Sequence, residues 1–94
     1  MISVGTVVLS KSGHDANRFF VIVKVENDFA FICDGKLRTL DKPKKKNFKH
    51  LQKTNTVLSS ERIGTDKQIR NALHCFNYSE KNKALVTKGG SLLV

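Results

Sequence analysis

Residues 19–34 read FFVIVKVENDFAFICD. Two apolar, β-branched and aromatic runs flank Glu26-Asn27-Asp28, and Asn and Asp are residues that favour tight turns. The composition of both runs predicts strands rather than helix. Phe19 to Val25 is apolar almost without a break, so this strand is expected to be buried on both faces. In the returning run, Phe29, Phe31 and Cys33 alternate onto one face. Two strands joined by so short a turn predict an antiparallel hairpin, which places the fold among small β-domains.

Outward from this hairpin the pattern repeats. Upstream, Val4 to Leu9 (VGTVVL) reads as a strand, and SKSGHDANR at 10–18 as a polar loop. Downstream, Asp34-Gly35 is a two-residue hairpin signal, followed by a strand over Lys36 to Leu40 (KLRTL). Pro43 is expected to end that strand, because it cannot donate to a ladder. The lysine run 42–46 then reads as loop, and Phe48 to Gln52 as a short closing strand. Short strands at close spacing predict a small barrel. Its core is expected around Val8, Val21, Val23, Phe31, Leu40 and Leu51.

After residue 54 the texture changes. TNTVLSSERIG reads as polar loop. Thr65 with Gln68 three residues later is a capping-box signature. Ile69, Ala72, Leu73 and Phe76 then follow at helical spacing, predicting a helix to about Asn77 that packs on the barrel and leaves Lys67 and Arg70 outward. The remainder, with its Gly89-Gly90 pair, reads as a mobile basic tail. The expected organisation is a barrel over 1–54, a linker and helix over 55–78, and a flexible tail over 79–94.

The charge balance bears on function. Seventeen Lys and Arg against eight Asp and Glu leave a net +9 on 94 residues. On a domain this small, that excess points to a polyanion, nucleic acid before anionic membrane. Membrane-surface binding lacks the basic amphipathic helix it needs. No leader-like or membrane-spanning run is expected, so a cytoplasmic location follows. Cys33 and Cys75 are expected as buried, reduced thiols, with no metal and no disulfide, because neither C-x-x-C nor H-x3-H spacing occurs.

Catalysis is not expected. Glu26, Asp28 and Asp34 fall in turns, and Asp66 falls in a first helical turn, where the macrodipole favours it. No phosphate-cradling Gly-rich loop occurs, and no cofactor is implied. The basic residues are better organised. Lys36, Arg38, Lys42, Lys44, Lys45, Lys46, Lys49 and Lys53 fall within 36–53, opposed there only by Asp41. The hairpin arm and the lysine loop are expected to form one positive patch suited to phosphates, with lysine acting as a point charge rather than a reader of bases. Phe48 and His50 are candidates for stacking.

Two segments carry a family resemblance. VGTVVLSKSGHDANRFFVIVKVEND, with its early Gly, its basic loop with an internal Gly and its apolar strand ending in an acidic turn, resembles a KOW motif. FAFICDGKLRTLDKPKKKNFKHLQKT resembles KOW proteins related to the large-subunit ribosomal protein numbered fourteen of archaea and eukaryotes, whose bacterial relatives are small stand-alone RNA-binding proteins. The resemblance spans about residues 3–54. It implies an SH3-like barrel that binds RNA, typically ribosomal RNA, through Lys11, Ser12, Gly13, His14, Asp15 and Arg18 of the loop. Lys36, Arg38, Lys42, Lys44, Lys45, Lys46, Lys49 and His50 would extend that surface. Where the family carries a second small residue or Gly, Ala16-Asn17 stand instead, and Asn17 is expected to supply the left-handed conformation. The implied partners are RNA and ribosomal proteins, with the protein acting as a monomer. The alternative is a protein-interaction module of the transcription-elongation KOW kind.

Overall fold

A computed structural model describes the backbone of residues 2–86 and the side chains up to Asn77. Its framework is five antiparallel strands in one open sheet, with β1 Thr6–Ser10, β2 Phe19–Glu26, β3 Phe29–Cys33, β4 Lys44–Asn47 and β5 Leu51–Val57. The order is β4-β3-β2-β1-β5, so a four-strand meander is joined on its first strand by the returning fifth. A single 3-10 turn, Phe48–His50, links β4 to β5, the two edges. Helix α1 runs from Asp66 to Val86.

β2 is the pivot. Its alternation sends Val21 with Phe19 and Val23 to one face, and Phe20 and Ile22 to the other. The first face is covered by α1. Val7, Val21 and Cys33 pack with Leu58 and with Ile69, Ala72 and Leu73 of the helix. The second face gathers Val8, Phe20, Ile22, Ala30, Ile32 and Leu51, with Ile2 and Phe48 the hydrophobic residues added from outside the strands among the described residues. Those six are at most 5 % exposed. A flat sheet could not bury them so, and the sheet must bend around them. Register irregularities between Ile22 and Lys24 and between Thr6 and Val8 supply places to bend.

Several expectations are corrected here. Lys36 to Leu40 is not a strand. The Asp34 carboxylate accepts from the N–H groups of Lys36 (2.8 Å) and Arg38 (2.9 Å), and Asp66 accepts from the N–H of Leu40 (2.9 Å). Donors that a ladder would need are thereby taken. Gly35 sits at φ 81° against α1, where a Cβ would collide with the Asp66 carbonyl. The fourth strand is instead the lysine run itself, paired to β3 with Phe31 opposite Lys45 and Ile32 opposite Lys44. Pro43 therefore precedes a strand rather than ending one, and lysines on an edge strand discourage edge-to-edge pairing. Residues 48–50 are a 3-10 turn, and β5 runs on to Val57, through the stretch expected as loop.

The core expectation holds for Val8, Val21 and Leu51, with Val23 and Leu40 packed at its margin. It fails for Phe31, which is half-buried beneath Lys24, whose Nζ is 5.3 Å from the ring centroid. Ala30 and Ile32 face the bent interior in its place, and Phe31 alternates onto the opposite face with Cys33; the extra residue lies on β2, which brings Lys24 opposite Phe31. The capping box forms as expected. Gln68 N–H donates to Thr65 Oγ1, and Thr65 N–H to Gln68 Oε1, both at 3.1 Å. The helix outruns its expected end and takes residues 79–86 from the expected tail. Residues 87–94 of that tail lie outside the described ones. Cys33 is buried, but Cys75 is exposed, on the outward side of α1.

Phe20 and Phe31 should differ sharply in a denaturant melt. Phe20→Ala should lose about 3–5 kcal/mol, because it empties a dry site. Phe31→Ala should lose less, about 1–2 kcal/mol, because its ring is partly buried and stands outside both core clusters.

Candidate nucleic-acid interface

The loop between β1 and β2 is held from within and from across the molecule. Gly13 (φ 84°) and Asn17 (φ 69°) take left-handed conformations, and Asn17 thus supplies what a glycine would. Backbone bonds from Asn17 N–H to Ser10 O (2.8 Å) and from Ser10 N–H to Arg18 O (3.0 Å) close its neck. Asp15 then turns inward. Its Oδ1 accepts from Ser10 Oγ (2.9 Å) and from Lys46 Nζ (2.6 Å). The same ammonium donates to the Ser12 carbonyl at 2.7 Å. Lys46 is 8 % exposed and lies opposite Ala30 in the sheet, so its stem crosses the bent interior to reach the loop.

Burial pulls the Asp15 carboxyl upward. Hydrogen bonds from Lys46 and Ser10, with the Lys46 charge, outweigh that and leave its pKa below the ordinary 3.8. A carboxylate with a lowered folded pKa contributes stability above its unfolded pKa and loses it as pH falls through the folded one.

A second carboxylate fixes the turn after β3. Asp34, besides holding the Lys36 and Arg38 N–H groups, stands 3.5 Å from Arg18 Nη2. Arg70 of α1 donates to the Gly35 carbonyl at 2.8 Å. Asn77 accepts from Phe19 N–H at 2.9 Å, tying the helix to the start of β2. Cys33 lies beneath this turn. Burial, with Asp66 and Asp34 nearby, pushes its thiol up to about 12, so it stays protonated and faces the Thr39 carbonyl at 3.3 Å.

These supports bring the loop, the turn and the helix around Arg18. On one side of it, a cavity of about 270 Å³ is lined by Asp34, Lys36, Arg70 and His74 among others. On the other, a cavity of about 350 Å³ is lined by His14, Asp15, Phe20, Leu37 and Arg38. Arg18 lines both. Of the residues expected from sequence, His14, Arg18, Lys36 and Arg38 are thus assembled into one basic groove, with Gly13 in the loop beside it.

The lysine run does not join them as one patch. As a strand, it sends Lys45 to one face and Lys44 and Lys46 to the other. Lys46 is buried and ion-paired, and is not the exposed phosphate contact expected of it. Lys45 pairs with Glu26 at 3.8 Å and lies over the Phe29 ring, 4.7 Å from its centroid. Lys44 is half-buried, and Lys42 is exposed on the turn before it. Lys49 and Lys11 are exposed at another corner, where Lys11 N–H donates to the His50 carbonyl at 2.8 Å. Ser12 serves through its carbonyl, as the acceptor for Lys46.

Arg70 and His74 are members of the groove that sequence reasoning missed. Their spacing of four put them on one helical stripe, but nothing in the sequence said that the stripe would border the turn after β3. Among the described residues, no three His, Cys, Asp or Glu side chains come together as a metal would require. No family model matches the chain, and no curated protein matches it.

Lys46→Ala should cost about 3–5 kcal/mol in a urea melt, because it strands a buried carboxylate. Lys45→Ala should stay within about 0.5 kcal/mol, as an exposed pair does. Wild type should lose stability as pH falls below about 4, and Asp15→Asn should flatten that limb.

Proposed function

We propose that this protein binds RNA through the Arg18 groove, as a KOW-type domain with an SH3-like barrel and in association with the ribosome. The observation that carries this is the convergence of Arg18, Lys36, Arg38 and Arg70 from loop, turn and helix onto two adjoining cavities. Guanidinium and ammonium groups on separate rigid elements can meet successive phosphates of one strand, which a row of lysines on a flexible tail does less selectively. The net +9 supplies long-range attraction to the same partner.

The fold supports the KOW reading in two ways. The strand order returns β5 beside β1, and a 3-10 turn brings the two edges to one corner, as a small barrel needs. The loop that resembles the KOW motif is also held at one wall of the groove, so the resembling residues and the cationic ones converge. Lys42, Lys44 and Lys49 add field around the groove rather than a clamp of their own.

A salt titration of binding to ribosomal RNA tests this. With about four phosphates neutralised, log affinity should fall against log salt with a slope of roughly −3. Lys36→Ala with Arg38→Ala, in a protein that still melts as a folded domain, should weaken binding and flatten the slope by about 1.5. The wild type should also co-sediment with ribosomal subunits at low salt. A shallow slope unchanged in the variant would overturn the proposal and point to an apolar protein contact.

A further inference from the structure

Phe29 and Phe31 alternate along β3 onto the sheet face that also carries Cys33. Helix α1 packs over Cys33, and neither phenylalanine belongs to a core cluster. Both rings are only partly buried. Across the ladder, Lys24 of β2 and Lys45 of β4 flank Phe31, while Glu26 and Asn47 flank Phe29. The Lys24 ammonium stands 5.3 Å from the Phe31 ring centroid, and the Lys45 ammonium 4.7 Å from that of Phe29. The surface is thus two neighbouring rings with a cation over each. A lysine stem can simply shield a ring from water. Valine or threonine at either position would suit a half-exposed strand as well, however, and would leave no aromatic face to shield.

We propose that this face is a stacking platform for consecutive bases of single-stranded RNA. The inference rests on the RNA binding proposed above, and adds to the Arg18 groove a second contact that selects unpaired strands. Alternate side chains of a strand stand about 7 Å from one another, a spacing at which an unstacked RNA sets one base on each ring. The lysines over the rings are free to move. Lys24 is exposed, the Lys45 side chain is 52 % exposed, and Glu26, its partner at 3.8 Å, is 46 % exposed. Exposed cation–π and ion-pair contacts are weaker than a base stacked on an aromatic ring. An arriving base therefore displaces the ammonium, which swings on its flexible stem to a phosphate of the same strand. The acidic neighbours, Glu26 and Asp28, lie together at the β2–β3 turn, so repulsion falls on one end of the platform. β3 carries the rings and ends in the Asp34 turn that holds Lys36 and Arg38, so platform and groove share one rigid support. A duplex keeps its bases stacked inside the helix and meets the cations alone.

The test uses a fluorescein-labelled, non-self-complementary RNA of about ten nucleotides, free or annealed to its complement, and reads anisotropy at fixed salt. Wild type should favour the single strand by about tenfold. Phe29→Leu and Phe31→Leu keep an apolar side chain and remove the aromatic face, at positions outside the Arg18 groove. Each should weaken single-strand binding by about fivefold, and leave duplex affinity and the salt slope unchanged. A further variant reports contact directly. The chain has no tryptophan, so Phe31→Trp introduces a single indole. Its emission should be quenched by the single-stranded RNA and not by the duplex, with circular dichroism melts showing each variant folded. Three results would each overturn the platform and leave the groove standing: equal wild-type affinity for the two forms, leucine variants that bind the single strand like wild type, or an unquenched indole with the single strand bound. Quenching that persists when Lys36→Ala and Arg38→Ala are added to Phe31→Trp, with the salt slope unmoved by those two changes, would keep the platform and overturn the groove. Failure to bind either RNA would overturn both.

Discussion

The two-sided burial of β2 is the constraint from which the rest of this fold follows. A strand apolar on both faces needs a layer over each. On one face that layer is α1, through Ile69, Ala72 and Leu73. On the other face it is the sheet itself, bent until Val8, Ala30, Ile32 and Leu51 close over Phe20 and Ile22. A chain this short has little apolar surface to spare, and using one sheet as both layer and lid is economical at this size. It also explains why the two edges are joined by so short a turn, since the bend has already carried them toward one corner.

The cost of the bend is that polar chain is drawn inside, and two carboxylates answer it. Asp15 receives Lys46 and Ser10, which lets a lysine stem cross the interior and anchors the first loop. Asp34 receives the N–H groups of Lys36 and Arg38, which turns the chain after β3 and holds it against the helix. A buried ion pair such as Lys46–Asp15 adds less stability than its geometry suggests, because both charges must be desolvated. Its clearer contribution is positional. It fixes the loop relative to β4, and so fixes one wall of the groove. Asp34 fixes the opposite wall, and Arg18 stands between the two.

This arrangement separates two uses of positive charge. Lys45 and Lys24 lie over Phe29 and Phe31 respectively, and Lys45, on the edge strand β4, also discourages edge-to-edge pairing. Arg18, Lys36, Arg38 and Arg70 face cavities instead. The densest run of charge in the sequence is therefore partly structural, while the groove is assembled from residues scattered over the chain. Net charge speaks to attraction and on-rate. Only placement speaks to what is held.

The sequence by itself determined the elements whose cause is local. The strands on either side of Asn27-Asp28 follow from β-branched and aromatic runs, the capped start of α1 from Thr65 and Gln68, its buried stripe from helical spacing, and the left-handed Asn17 from the loop's need for such a residue. It did not determine whether KLRTL or KPKKKN would be the next strand. Propensity favoured the first, because leucine and threonine suit a sheet better than consecutive lysines do. The choice fell to tertiary bonds that no local pattern shows. Asp34 and Asp66 captured the N–H groups of the first segment, and β3 offered its free edge to the second. Once that was settled, the period of two fixed which lysines faced inward, and Lys46 became a strut rather than a surface cation. The groove was legible only in part for the same reason. Arg18 and Arg38 could be named from the loop and arm, but Arg70 joined them only because the helix docks where β2 needs cover.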